Sequence, residues 1–230
     1  MGCILWDVDG TLLDFSRSER YGITKCLNDI GVSATEEMLA RYSVINDARW
    51  KKLECGELTK EQVMEGRFQQ FFSEYGIACP DIPGFNAAYQ QALGTVYFYR
   101  DRSLELCKKL KDMGWRQYIV TNGSAAAQKN KLRLAGFLPL MDGLFISESI
   151  GVPKPAREFF DAVWKQGVAK EESVIVGDSL TSDMRGGNQA GIPCIWYNPG
   201  RKTNTTAVRV DYEIQNLWDV LPVLRQLSER

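Results

Sequence analysis

Cys3-Ile4-Leu5-Trp6-Asp7-Val8-Asp9-Gly10-Thr11 opens the chain with an apolar run that leads straight into two carboxylates and a glycine. An unbroken apolar run, with no polar residue alternating through it, suits a strand buried on both faces, as in a parallel sheet covered by helices. In extended backbone, residues two apart face the same side, so Asp7 and Asp9 are expected to project together from the carboxyl end of that strand. Open α/β sheets bind their ligands at that end. Two carboxylates so close require a cation or a shared proton. Gly10 lets the backbone turn sharply beside whatever occupies the site. Taken alone, the stretch Asp7 to Thr11 also reads as an ordinary turn.

Further apolar runs repeat the pattern at Tyr118-Ile119-Val120, Val174-Ile175-Val176 and Pro193-Cys194-Ile195-Trp196-Tyr197. Between them lie stretches of helical character that stop at glycines: 103–113 before Gly114, 124–135 before Gly136, 156–166 before Gly167 and 182–190 before Gly191. Alternating strand and helix predicts an α/β fold, with a doubly wound, Rossmann-like parallel sheet and helices on both faces. Residues 16–96 break that rhythm. Ile23, Cys26, Leu27 and Ile30 recur at helical spacing up to Gly31, and Met64, Phe68, Phe71, Phe72 and Tyr75 up to Gly76. Ser33 with Glu36, and Thr59 with Gln62, have the spacing of capping boxes. The predicted organisation is an α/β core of 1–15 and 97–230 with a helical insertion at 16–96.

The 230 residues are 44% hydrophobic and 25% charged, which excludes disordered and fibrous classes and leaves enough chain for a sizeable core. Lys and Arg number 28 against 29 Asp and Glu, so the net charge is -1 and no basic field draws nucleic acid polymers or anionic membranes. Any bound anion must be held by local groups. The absence of histidine removes Ser-His-Asp, Cys-His and imidazole-zinc chemistry. Carboxylates, lysine, thiols and hydroxyls remain. The six cysteines, at 3, 26, 55, 79, 107 and 194, form no C-x-x-C pair and read as small core residues in a reducing compartment. The N-terminus shows no cationic segment followed by an apolar stretch, and no run reaches the ~18 apolar residues of a membrane span. Met1-Gly2-Cys3 hints at acylation, but Trp6 stands where that pattern wants Ser or Thr. The sequons at Asn122 and Asn204 matter only in a secreted protein. The expectation is a cytoplasmic monomer or homodimer that acts on a small molecule.

Each later strand end adds a chemical group. Thr121-Asn122-Gly123 offers a hydroxyl, an amide and backbone N–H groups just before a helix, which suits a phosphate oxygen, although the tripeptide is also a common turn. Lys154 lies between Pro153 and Pro155, whose restricted backbone would aim its side chain in a defined direction. Gly177-Asp178-Ser179 follows the Val-Ile-Val run and repeats the placement of Asp7. Asp183 stands near the start of the next helix, where it also reads as a cap. Acidic oxygen ligands without histidine or paired thiols favour Mg²⁺ over zinc. A metal, a cation and N–H donors around one carboxylate form a phosphoryl-transfer site.

These residues resemble the four motifs of the haloacid dehalogenase superfamily, in their usual order and over essentially the whole chain. The insertion at 16–96 resembles the helical cap that subfamily I places between its first and second motifs. The resemblance implies a Mg²⁺-dependent phosphomonoester hydrolase. Asp7 would be the nucleophile that forms an aspartyl-phosphate; Asp9 would be the general acid for the leaving oxygen and then the base for the attacking water. It implies that Thr121, Asn122, Gly123 and Lys154 bind phosphate, with Lys154 offsetting charge on the nucleophile. It implies a metal held by Asp7, Asp9, Asp178 and Asp183, the last as the family's second acidic position. Asp9 separates the phosphatases from the dehalogenases, which lack it. Within the insertion, Tyr42, Asn46, Trp50, Gly56 and Gly66-Arg67-Phe68 are similar to the pyrimidine 5′-nucleotidase branch, as is Ile146-Ser147-Glu148-Ser149-Ile150-Gly151-Val152. By that resemblance Asn46, Trp50 and Arg67 would contact a nucleoside monophosphate by stacking and by hydrogen bonds to the base. The competing reading is packing within the insertion, because Trp50 and Phe68 sit in amphipathic helices. Two alternatives stand beside the nucleotidase: a phosphatase or phosphomutase for a sugar phosphate or other small phosphometabolite, and a non-catalytic phosphate-binding protein.

Overall fold

The computed structural model describes residues 2–78 and 81–229. The chain divides into two compact units, one of Met1–Asp14 with Phe98–Arg230 and one of Phe15–Tyr97.

The first unit is built on a sheet of six strands: β1 (Cys3–Trp6), β2 (Arg116–Thr121), β3 (Gly143–Ile146), β4 (Ser173–Gly177), β5 (Cys194–Tyr197) and β6 (Tyr212–Ile214). Their order is β3-β2-β1-β4-β5-β6 and every pairing is parallel. After β1 the chain builds outward through β2 and β3, then returns to the other side of β1 for β4. The carboxyl ends of β1, β2 and β4 therefore surround the switch point where α/β sheets form their binding crevice. All four residues of β1 are buried, as an apolar strand covered on both faces must be. Leu5, Val120, Ile175 and Cys194 pack with Phe159, Phe160 and Met184 in one core, where each fully buried large side chain stabilises by roughly 2 kcal/mol.

Two strands escaped the apolar-run reading, β3 and β6, and both lie at sheet edges. An edge strand is defined by hydrogen bonds to one neighbour, so its own pattern carries less of the signal. The stretch at 182–190 also differs from a plain helix. It begins as a π-turn at Leu180–Met184 and continues as a short α-helix at Arg185–Ala190.

The second unit consists of helices Phe15–Asp29, Glu36–Glu54, Lys60–Tyr75 and Ile82–Thr95. Its core is aromatic: the Tyr42 ring stacks on Phe68 at 5.5 Å, and Tyr89 meets Phe68 edge-on at 5.3 Å. The Thr59–Gln62 capping box is present in both directions, at 3.3 Å and 2.8 Å. The Ser33–Glu36 box is not. Thr35 occupies the cap position instead and accepts from the Met38 N–H at 3.2 Å, because it immediately precedes the first helical residue and has extended backbone.

Cys3, Cys26, Cys107 and Cys194 are buried and Cys55 is exposed, all as free thiols; Cys79, like Met1 of the acylation pattern, lies outside the described residues. Among the described residues no helix is long and apolar enough to cross a membrane.

Candidate active site

Asp7 follows β1 directly and continues its pairing, donating its backbone N–H to the Val176 carbonyl at 3.0 Å. Thr121 closes β2 and Gly177 closes β4. Lys154 reaches into the space between these ends. Its buried ammonium donates to Asp7 Oδ1 at 2.9 Å, to Asp183 Oδ1 at 2.6 Å and to the Val120 carbonyl at 2.7 Å. Those bonds use all the protons an ammonium has. Its direction is set by Asn122 as well as by the flanking prolines: the Asn122 amide donates to the Lys154 carbonyl at 2.9 Å and accepts from the Lys154 N–H at 2.8 Å. The Asn122 side chain thus aims the lysine.

Carboxylate oxygens of Asp7, Asp178 and Asp183 lie within 4.8 Å of one another. Two glycines make room for them. Gly10 has φ +94°, and a Cβ there would fall 2.5 Å from Asp178 Oδ2; a Cβ on Gly177 would fall 2.2 Å from Asp183 Oδ2. Asp183 joins the cluster and accepts from the Ser179 N–H at 3.1 Å, but the cap of that turn is Ser179, whose hydroxyl accepts from the Ser182 N–H at 3.1 Å.

Electrostatics of the cluster follow from three carboxylates facing one ammonium. Burial opposes the Lys154 charge, but Asp183 and Asp7 outweigh it and hold the ammonium above its ordinary range. Burial is the largest influence on Asp7; Lys154 pulls it down, Asp183 and Asp178 push it up, and the carboxyl ends well above the usual range. Burial and then Asp183 raise Asp178 to about 7, against the hydrogen bond it accepts from Thr11 at 3.3 Å. With all three ionised, the cluster carries two negative charges that no protein cation offsets. Its donors are all hard oxygens, so the residues present fit Mg²⁺.

The Asp9 carboxylate, expected in the same cluster, is placed elsewhere. β1 ends at Trp6, and the chain turns at Val8, whose carbonyl accepts from the Thr11 and Leu13 N–H groups at 3.3 Å and 2.9 Å. The same-side rule for extended backbone lapses there. Asp9 Oδ2 accepts from Gln128 Nε2 at 2.7 Å and Asp9 Oδ1 from Lys131 Nζ at 2.5 Å. Gln128 and Lys131 lie on one face of helix Ala125–Leu134, which starts just after the Thr121-Asn122-Gly123 turn. Sequence reading missed both. The available signal was two long polar side chains on the same helical face as Ala127 and Leu132, which the fold buries.

Gln128 Nε2 also donates to Thr121 Oγ1 at 2.9 Å, and the Gly123 N–H donates to the same oxygen at 3.4 Å. With two donors on its oxygen, Thr121 keeps its own hydroxyl hydrogen for an acceptor. Gly123 is required by packing, because a Cβ there would fall 2.3 Å from Gln128 Nε2.

Two of the residues expected to contact substrate from the helical insertion bond inside it. Arg67 is buried and donates to Asn46 Oδ1 at 3.0 Å, to Asn86 Oδ1 at 2.8 Å and to the Met64 carbonyl at 3.2 Å. Its guanidinium carbon lies 4.8 Å and 4.9 Å from the ring centroids of Phe68 and Tyr89. Asn46, also buried, donates to Glu19 Oε1 at 2.7 Å. Trp50 is half-buried on helix Glu36–Glu54. Arg67→Met is expected to lower the stability to urea by about 3 kcal/mol, because the buried Asn46 and the half-buried Asn86 lose their donors. An unchanged urea midpoint would show that this network does not hold the unit together.

A parallel sheet that gathers the carboxylates of Asp7, Asp178 and Asp183 and the buried Lys154 at its switch point has the layout of an α/β protein that binds its ligand at the strand ends. The chain belongs to the haloacid dehalogenase-like hydrolase family, whose model matches residues 1–191. It is 33% identical to the HAD-hydrolase YfnB of Bacillus subtilis, over 96% of this chain and 94% of that one. To the pyrimidine 5′-nucleotidase PynA of Streptococcus pneumoniae it is 34% identical, over the same shares of the two chains. The crystal structure of YfnB bound to magnesium superposes with a TM-score of 0.90 and 32% identity, covering 97% of this chain and 98% of that one.

Proposed function

We propose that this protein is a Mg²⁺-dependent phosphomonoester hydrolase that works through a phosphorylated Asp7 and takes pyrimidine nucleoside 5′-monophosphates. The observation that carries the reading is the Lys154 ammonium bridging Asp7 at 2.9 Å and Asp183 at 2.6 Å, beside a second acid, Asp9, held apart from the cluster. Asp7 attacks phosphorus as the bond to the ester oxygen breaks. Asp9 gives its proton to that departing oxygen, then takes one from the water that attacks phospho-Asp7. Inorganic phosphate leaves and Asp7 is regenerated. Lys154 keeps the nucleophile in line, and the Thr121 hydroxyl donates to a phosphoryl oxygen. Bound at Asp7, Asp178 and Asp183, Mg²⁺ supplies the positive charge that lets an anionic ester approach an anionic nucleophile.

The substrate class is supported by the similarity to PynA over nearly the full length of both chains. The free described cysteines fit a cytoplasmic location. The test is phosphate release with Mg²⁺ across pyrimidine and purine nucleoside monophosphates and sugar phosphates at matched concentrations. Pyrimidine monophosphates are expected to lead by about tenfold or more in kcat/KM. Sugar-centred turnover would leave the chemistry and remove the substrate; no release from any ester would favour a phosphate-binding protein.

A further inference from the structure

Asp9 is gripped from one side only. Lys131, whose side chain is 3% exposed, and the buried Gln128 each take one oxygen of the carboxyl group, while the Asp9 side chain stays 25% exposed. One atom, Gln128 Nε2, bonds both Asp9 at 2.7 Å and Thr121 at 2.9 Å. The group that donates to phosphate and the group that handles the proton are thereby tied to a single helix, Ala125–Leu134. A buried lysine costs desolvation that apolar packing would avoid, so stability alone is a weak reason for it.

We propose that Gln128 and Lys131 are positioning residues that hold the Asp9 carboxyl at the leaving-group oxygen and out of the metal cluster. The proposal rests on the reading of Asp9 as general acid. When the phosphorus–oxygen bond breaks, its electron pair goes to the ester oxygen, which takes the proton from Asp9. The carboxylate left behind is met by the Lys131 ammonium and the Gln128 amide. Both interactions strengthen as that charge appears, so they favour the transition state over the ground state.

Leaving groups separate this role from a purely structural one. A nucleoside 5′-monophosphate expels an alkoxide that needs a proton, whereas dinitrophenyl phosphate expels an anion stable without one. The comparison uses kcat/KM, which covers only steps through departure of the leaving group and excludes hydrolysis of phospho-Asp7. Lys131→Met is expected to lower kcat/KM by about 100-fold on the nucleotide and by less than about threefold on the dinitrophenyl ester. Lys131→Arg, which restores the charge, is expected to recover the nucleotide to within about tenfold of the wild type. If Lys131→Met does not fold, Lys131→Gln carries the same comparison. Equal losses on both esters, with an active wild type, would overturn the positioning role alone. A wild type that hydrolyses neither ester would overturn the phosphatase reading and this proposal with it.

Discussion

Asp7→Asn is expected to cut phosphate release by at least about 10⁴-fold, the scale seen when a catalytic nucleophile is removed. An amide has nearly the shape of a carboxyl group, and the backbone bond from residue 7 to Val176 is untouched by the change. Lys154 keeps Asp183 and the Val120 carbonyl as partners. Loss of activity can therefore be separated from loss of fold. The sign of the stability change is a second check. A carboxyl held well above its ordinary range in the folded protein withholds stability at any pH above that range, and the amide removes this cost. The metal-free variant is expected to melt higher than metal-free wild type at pH about 8, where the unfolded carboxyl is fully ionised. Its melting temperature should also respond less to added Mg²⁺, because one oxygen ligand has lost its charge. Retention of wild-type turnover would end the covalent mechanism.

Lys154→Met is expected to lower kcat/KM by about 10³-fold and to destabilise the metal-free protein by about 3 kcal/mol. Methionine preserves most of the buried volume but leaves the oxygens of Asp7 and Asp183 without their shared donor. The remaining charge is entirely negative, so added Mg²⁺ should recover more stability in this variant than in wild type. Arginine should not substitute, because the single Lys154 nitrogen donates to Asp7, Asp183 and the Val120 carbonyl at once, whereas a guanidinium spreads its donors over a planar fork. Urea unfolding with and without Mg²⁺, alongside phosphate-release kinetics, reads both effects. If Lys154→Met were as stable as wild type without metal, the ammonium would not be the counter-charge of the cluster.

Much of the fold around the candidate site was legible along the chain. The apolar runs before Asp7, Thr121 and Asp178 became the adjacent parallel strands β1, β2 and β4, and their ends met where a doubly wound sheet brings them together. Lys154 was legible as a constrained side chain, but Asn122 as the residue that aims it was not. The role expected of Asn46 and Arg67 as substrate contacts competes with what the structure shows them doing, which is bonding to each other inside the helical unit. Hydrogen-bonding side chains at helical spacing carry no mark of whether they face a ligand or a buried partner.

The sequence by itself determined the inner strands, most helices, the helical insertion and the order of the strand-end groups, because apolar periodicity, glycine stops and caps act over a few residues. Tertiary structure alone decided which groups share a site. Asp9 meets Gln128 and Lys131 across 119 and 122 residues, and Lys154 meets Asp7 across 147. Contacts of that range depend on where the sheet and its crossover helices place each backbone, and on how a turn at Val8 sends two neighbouring carboxylates to different partners. No pattern within a single element records that.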